Sequence, residues 1–258
     1  MIPPNRQWAH QIAITSACRR RCSNCTRLLA HETKNYFMSL EDFEQCVRVA
    51  ADFPTNSKPD VHNRRKVVGI FGGEPLMHPQ FPAIVELACQ YIPDVRHRGL
   101  WTGEDWPHYE HQVYGPAEPH VLKLLGEGMS GATHYGPHTG GYLNWNRHGD
   151  KPTPNDLNIL PADNGCHSRH QPMLVAIDEV IENQALMWRL IEDCWVQRDW
   201  SAAYAYDAHN RPRFYFCEVA SALDRVLNLG VGLPVQPYCW DHELWFAREG
   251  EDSYAIPQ

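Results

Sequence analysis

A chain of 258 residues with 43% hydrophobic content can bury a sizeable core, which argues against gross disorder. A formal net charge of −8 disfavours non-specific attachment to phosphate backbones, leaving Arg19, Arg20, Arg21 and Arg27 as a local basic stretch. No apolar run is long enough to span a bilayer and Met1 to Trp8 does not read as a signal peptide, so the expectation is a cytoplasmic chain whose nine cysteines serve metal or thiol chemistry rather than disulfides.

In chain order, Gln11 to Thr15 is expected as a short buried strand that runs straight into a cysteine cluster. Ser39 with Asp42 predicts a capped helix start, followed by Leu40, Phe43, Val47 and Ala50 at helical spacing. Val67 to Phe71 is an apolar β-branched run ending in Gly72-Gly73, hence a second buried strand. Phe81 to Tyr91 reads as a helix and Arg98 to Thr102 as a third strand. Strand, loop and helix in repetition predict a parallel α/β sheet. Residues 103 to 165 are expected to hold long loops, a helix at His120 to Leu125, and strands near Ala132 to Tyr135 and Leu157 to Leu160. A helical pattern returns from Gln171 to Cys194. Ala202 to Tyr206 and Arg213 to Phe216 flank Asp207-Ala208-His209-Asn210 as a hairpin, and Ala220 to Leu227 is a final helix.

Cys18, Cys22 and Cys25 are spaced C-x3-C-x2-C directly after the first strand. Thiolates are soft ligands suited to iron–sulfur clusters, and three of them leave one iron of a cubane open to a non-protein ligand. A zinc site completed by His31, or plain buried thiols, are the alternatives.

This cluster resembles the signature of radical S-adenosylmethionine enzymes. In that family the open iron is chelated by the amino and carboxylate groups of the methionine moiety. Gly72-Gly73-Glu74-Pro75 is similar to the family's GGEP motif, and Leu100-Trp101-Thr102-Gly103 places a hydroxyl where the family often has one near the ribose. Asn24 departs from the pattern, in which an aromatic residue commonly precedes the third cysteine. The resemblance is specific over residues 11 to 103. It implies a [4Fe–4S] cluster on Cys18, Cys22 and Cys25, and S-adenosyl-L-methionine held by Gly72, Gly73, Glu74, Pro75 and Thr102. It also implies a 5′-deoxyadenosyl radical that abstracts a hydrogen atom from a substrate, and a reductant such as flavodoxin or ferredoxin.

Cys166, Cys194, Cys217 and Cys239 lie around the hairpin and resemble the twitch or SPASM tail of some of these enzymes, which implies a second [4Fe–4S] cluster. The paired cysteines of the full tail are missing. Cys46 and Cys89 are expected as buried core residues. His134, His138, His148, His167 and His170 suggest a polar wall toward a substrate. Tyr135, Tyr142, Trp145 and Trp101 are candidates to stack on a base or line an apolar pocket.

The expected architecture is a partial (β/α)6 TIM-like barrel over 1–165 with a small α+β C-terminal appendage over 166–258. The expected activity is radical chemistry on a peptide side chain, a modified nucleobase or a small metabolite. The tail, with Cys194-Trp195, Trp200-Ser201-Ala202 and Phe216-Cys217-Glu218-Val219-Ala220, also resembles radical enzymes of phages and bacteria whose substrates are mostly unassigned, some of which act on amino-acid-decorated thymine in hypermodified DNA. The non-enzyme alternative is a zinc- or iron–sulfur-binding interaction module.

Overall fold

The computed structural model describes residues 4–18, 25–60, 63–102, 131–134, 177–194, 196 and 201–241. One sheet carries seven strands: β1 (Ala9–Ala13), β2 (Val67–Phe71), β3 (Arg98–Thr102), β4 (Gly131–His134), β5 (Ser201–Tyr206), β6 (Pro212–Tyr215) and β7 (Leu233–Pro234). Their order is β4-β3-β2-β1-β5-β6-β7. β1 pairs in parallel with both β2 and β5, and β2, β3 and β4 continue in parallel. β6 pairs antiparallel with β5, and β7 antiparallel with β6. The helices are α1 (Leu40–Ala50), α2 (Phe53–Asn56), α3 (Phe81–Tyr91), α4 (Ile177–Val180), α5 (Gln184–Glu192) and α6 (Glu218–Leu227).

Alternation along the strands sends side chains to two faces. On one, Ile12 and Ile14, Val68 and Ile70, and Leu100 meet Phe43, Cys46 and Val47 of α1 and Phe81, Ile84 and Val85 of α3. Ser39 caps α1 by accepting from the Asp42 amide at 3.1 Å. Such a cap contributes about 1 kcal/mol and one buried phenylalanine about 1.5–3 kcal/mol, so packing holds α1 and the cap sets where it begins. On the opposite face, Ala13, Ala205 and Tyr215 pack against Ala220 of α6.

The α/β class and the mainly parallel sheet agree with expectation, as do the hairpin and the helix after it. Among the described residues the sheet is open, with β4 and β7 at its edges, which is compatible with a partial barrel. One feature differs: the hairpin is not a separate appendage. β5 lies directly beside β1, in register from Ala9↔Ser201 to Ile12↔Tyr204. The reason lies in its composition, because all six residues of Ser-Ala-Ala-Tyr-Ala-Tyr are buried, as in a strand covered on both faces. The sheet therefore runs across the expected boundary at 165–166, which itself lies outside the described residues. The expected helix at 120–125 and strand at 157–160 also lie outside them. Among the described residues no helix is long and apolar enough to cross a membrane.

Candidate active site

β1 leads into a loop that is closed at its base. The Ile14 amide donates to Phe71 O at 2.9 Å, and the Met38 amide donates to Ile14 O at 2.7 Å. Thr15 and Ser16 then grip Tyr36. Thr15 Oγ1 donates to Tyr36 O at 2.7 Å, the Tyr36 amide donates to Ser16 Oγ at 3.0 Å, and the Tyr36 hydroxyl donates to Ala13 O at 3.0 Å. Cys18 and Cys25 are carried on this loop, and both are partly exposed. Cys22 lies outside the described residues.

The Gly72-Gly73-Glu74-Pro75 turn follows β2, the neighbour of β1, at the same end of the sheet. It is bonded directly to the chain that precedes Cys18: Gly73 N donates to Thr15 O at 2.7 Å and Glu74 N to Ala17 O at 2.8 Å. A Cβ on Gly72 would lie 2.5 Å from Thr15 O, and one on Gly73 would lie 2.4 Å from Ala17 O. Gly72 also has φ +151°, which side chains rarely tolerate. Both glycines thus allow two loops to approach each other, in addition to any approach they permit to a ligand. The Glu74 carboxylate is buried, and its Oε1 accepts from the Leu76 amide at 3.1 Å. Pro75 opens a short 3-10 turn, Pro75–Met77. His78 then ties this segment to the far side of the cysteine loop, its Nε2 2.9 Å from Met38 O. Burial lowers the His78 pKa below its usual value, against the pull of the Met38 carbonyl.

Thr102 ends β3 opposite His134 of β4, again at the C-terminal end of the parallel strands. Sheets of this kind gather ligands at that end. His138, His148, His167, His170, Tyr135, Tyr142 and Trp145 lie outside the described residues. Trp101 is buried beside Trp8, edge to face at 6.4 Å, and packs in the core instead of lining a pocket.

Among the described residues the C-terminal cysteines do not gather as one metal site. Cys239 is fully buried with Cys46 and Tyr204 on the α1 face, and burial pushes its thiol up to about 11. Cys217 caps α6, whose Ala220 packs on the opposite face, and its Sγ accepts from the Ala220 amide at 3.3 Å. Burial pushes Cys217 up to about 12, against the pull of that amide. Cys194 is exposed and near enough to Cys217 to affect its titration. Between Cys217 and Cys239 the chain runs through α6 and β7, and Cys239 ends on the α1 face of the sheet. Cys166 lies outside the described residues.

Among the described residues no three His, Cys, Asp or Glu side chains gather as a metal site requires. The N-terminal trio includes Cys22 and so falls partly outside that set. What is described of it suits a soft metal cluster, with two accessible thiols on a loop pinned at its base. Cys46 and Cys239 have the opposite character, since burial raises both thiols and keeps them protonated.

No protein-family model matches the chain, and no curated protein matches it significantly. Among solved structures it is similar to BtrN in complex with AdoMet and 2-DOIA, at 14% identity over 84% of this chain and 75% of that one, with a TM-score of 0.47. At that level the likeness carries no functional information.

Proposed function

We propose that the chain is a radical S-adenosylmethionine enzyme. One observation carries the reading: the C-x3-C-x2-C loop leaves the end of β1, and the Gly-Gly-Glu-Pro turn of the neighbouring strand is hydrogen-bonded to Thr15 and Ala17, just before the first cysteine. Two sequence motifs far apart in the chain are thus adjacent at the end of the sheet where α/β proteins bind ligands.

In this reading Cys18, Cys22 and Cys25 would hold a [4Fe–4S] cluster and leave one iron free of protein ligands for S-adenosyl-L-methionine. When bound, this pair supplies one-electron reductive cleavage of the sulfonium C5′–S bond, giving methionine and a 5′-deoxyadenosyl radical for hydrogen-atom abstraction. The chain's own contribution is placement. Gly72 and Gly73 set the distance between the cysteine loop and the β2 turn. Glu74 and Thr102 are the residues that would orient the cofactor's polar groups. The electron would come from a flavodoxin- or ferredoxin-type reductant.

The test is anaerobic reconstitution with iron and sulfide, followed by reduction in the presence of S-adenosylmethionine. The wild-type chain is expected to form 5′-deoxyadenosine, and a variant with Cys18, Cys22 and Cys25 all replaced by alanine is expected to form none. Equal yields from the two proteins, or zinc in place of iron after purification, would overturn the reading.

A further inference from the structure

Arg27 is read from sequence as part of a basic surface stretch, but its side chain is only 3% exposed. Two residues after Cys25 it turns inward. Its Nη1 donates to Glu218 O at 3.0 Å and to Ser221 Oγ at 2.5 Å, both on the first turn of α6. The guanidinium lies 5.8 Å from the centre of the Phe71 ring, at the end of β2. One side chain therefore touches the cysteine segment, the strand that leads to Gly72, and the C-terminal helix.

Arg27 makes no ion pair among the described residues, and its Nε is buried without an acceptor there. A second arginine in the same region provides the contrast. Arg225 of α6 also reaches the loop, with Nε 3.3 Å from Glu32 Oε2, but there the charges neutralise each other. A buried guanidinium held only by neutral acceptors is costly unless an anion balances it.

We propose that Arg27 is a positioning residue for the cysteine loop: it docks the segment after Cys25 on α6 and supplies the positive charge that a thiolate-bound iron–sulfur cluster balances. This rests on the cluster reading above. Three thiolates outweigh the charge of the cluster core, so the site as a whole is anionic, and more so when reduced. A fixed cation within electrostatic reach of such a cluster would favour its reduced state.

The test uses the full-length wild type and three variants, Arg27→Met, Arg27→Lys and Ser221→Ala. In the metal-free proteins, hydrogen exchange is followed at the Leu28 and His31 amides, which are bonded to Cys25 O and Leu28 O. Removing a charge-assisted bond should speed exchange there about tenfold or more in Arg27→Met. Ser221→Ala, which keeps the charge, should also speed it. In the reconstituted proteins, the midpoint potential is titrated by the electron paramagnetic resonance signal of the reduced cluster. Arg27→Met should be harder to reduce than wild type, and Arg27→Lys and Ser221→Ala should match it. Unchanged exchange in Arg27→Met would overturn the docking role, and a shared potential for Arg27→Met and wild type would overturn the charge role. If the wild-type chain holds no iron, the charge role falls together with the cluster reading, and the exchange result alone decides the docking role.

Discussion

Trp101 lies across Gly69 on the neighbouring strand, so that a Cβ at position 69 would fall 1.2 Å from Cζ3 of the indole. The two cannot coexist with any larger residue at 69 unless the indole leaves its place against Trp8. Gly69→Ala should therefore cost about 3 kcal/mol in urea unfolding. Trp101→Leu in the same background should recover part of that loss, so the double mutant is less destabilised than the sum of the singles. Strict additivity of the two costs would contradict this packing.

Gly73 makes a similar demand with a different consequence. Its φ lies outside the left-handed region, so the obstacle to a side chain is steric alone. In Gly73→Ala the Cβ pushes on Ala17 O, and the residues entering the cysteine loop must shift. A stability loss of about 1–3 kcal/mol is expected. Reconstituted Gly73→Ala should also lose iron faster to a chelator than wild type. An intact iron-release rate combined with weakened S-adenosylmethionine binding would instead place the role of Gly73 at the ligand.

His10 gives the fold a pH dependence. Its ring stacks on Phe53 at 3.5 Å and is fully buried, and burial lowers its pKa to about 3. In the unfolded chain the ordinary value is about 6.5. Between those values the unfolded state binds the proton and the folded state does not, so stability rises with pH. The contribution is complete above pH 6.5 and is lost as pH falls toward 3. Wild type should lose stability by a few kcal/mol between pH 7 and pH 4, and His10→Gln should show a flatter profile in denaturant titrations. Parallel profiles for the two proteins would rule out His10 as the source.

Cys239 tests the separation of the cysteines. Packed with Cys46 and Tyr204, it behaves as a small apolar residue. Cys239→Ala should cost about 1 kcal/mol and leave the iron content of the reconstituted protein at the wild-type level. Cys25→Ala should do the reverse, sparing the fold and removing iron. Loss of iron in Cys239→Ala would restore a second cluster to consideration.

Local signals in the sequence are strong where they match the structure. Val67–Phe71, Arg98–Thr102 and Phe81–Tyr91 have the expected limits because each is bounded by punctuation, such as Gly72-Gly73 or Pro82. Ser39 and Asp42 meet as predicted. The hairpin around Asp207 was legible from its turn residues, and Asp207 Oδ1 accepts from the His209 and Arg211 amides within it. The partner of that hairpin was not legible. β1 and β5 are nearly two hundred residues apart, and no periodicity within either strand encodes the other. The inward turn of Arg27 was hidden for a related reason, because its acceptors Glu218 and Ser221 are contributed by the other end of the chain. The motif glycines were readable as sites of close approach, but not the object approached, since Thr15 and Ala17 carry no side-chain signal for it.

The place of β5 beside β1 has a consequence for biosynthesis. As the chain emerges from the ribosome, β1 can pair with β2 after some sixty residues, but its other edge stays uncovered until Ser201–Tyr206 has been made. An open edge of that kind is a template for pairing with other chains. Because Arg27 and Glu32 also wait for α6, the cysteine loop gains its full set of contacts only once most of the protein has been translated. Loading of a cluster would accordingly belong to the finished polypeptide, and nascent chains stalled before residue 200 should be the form most prone to aggregate.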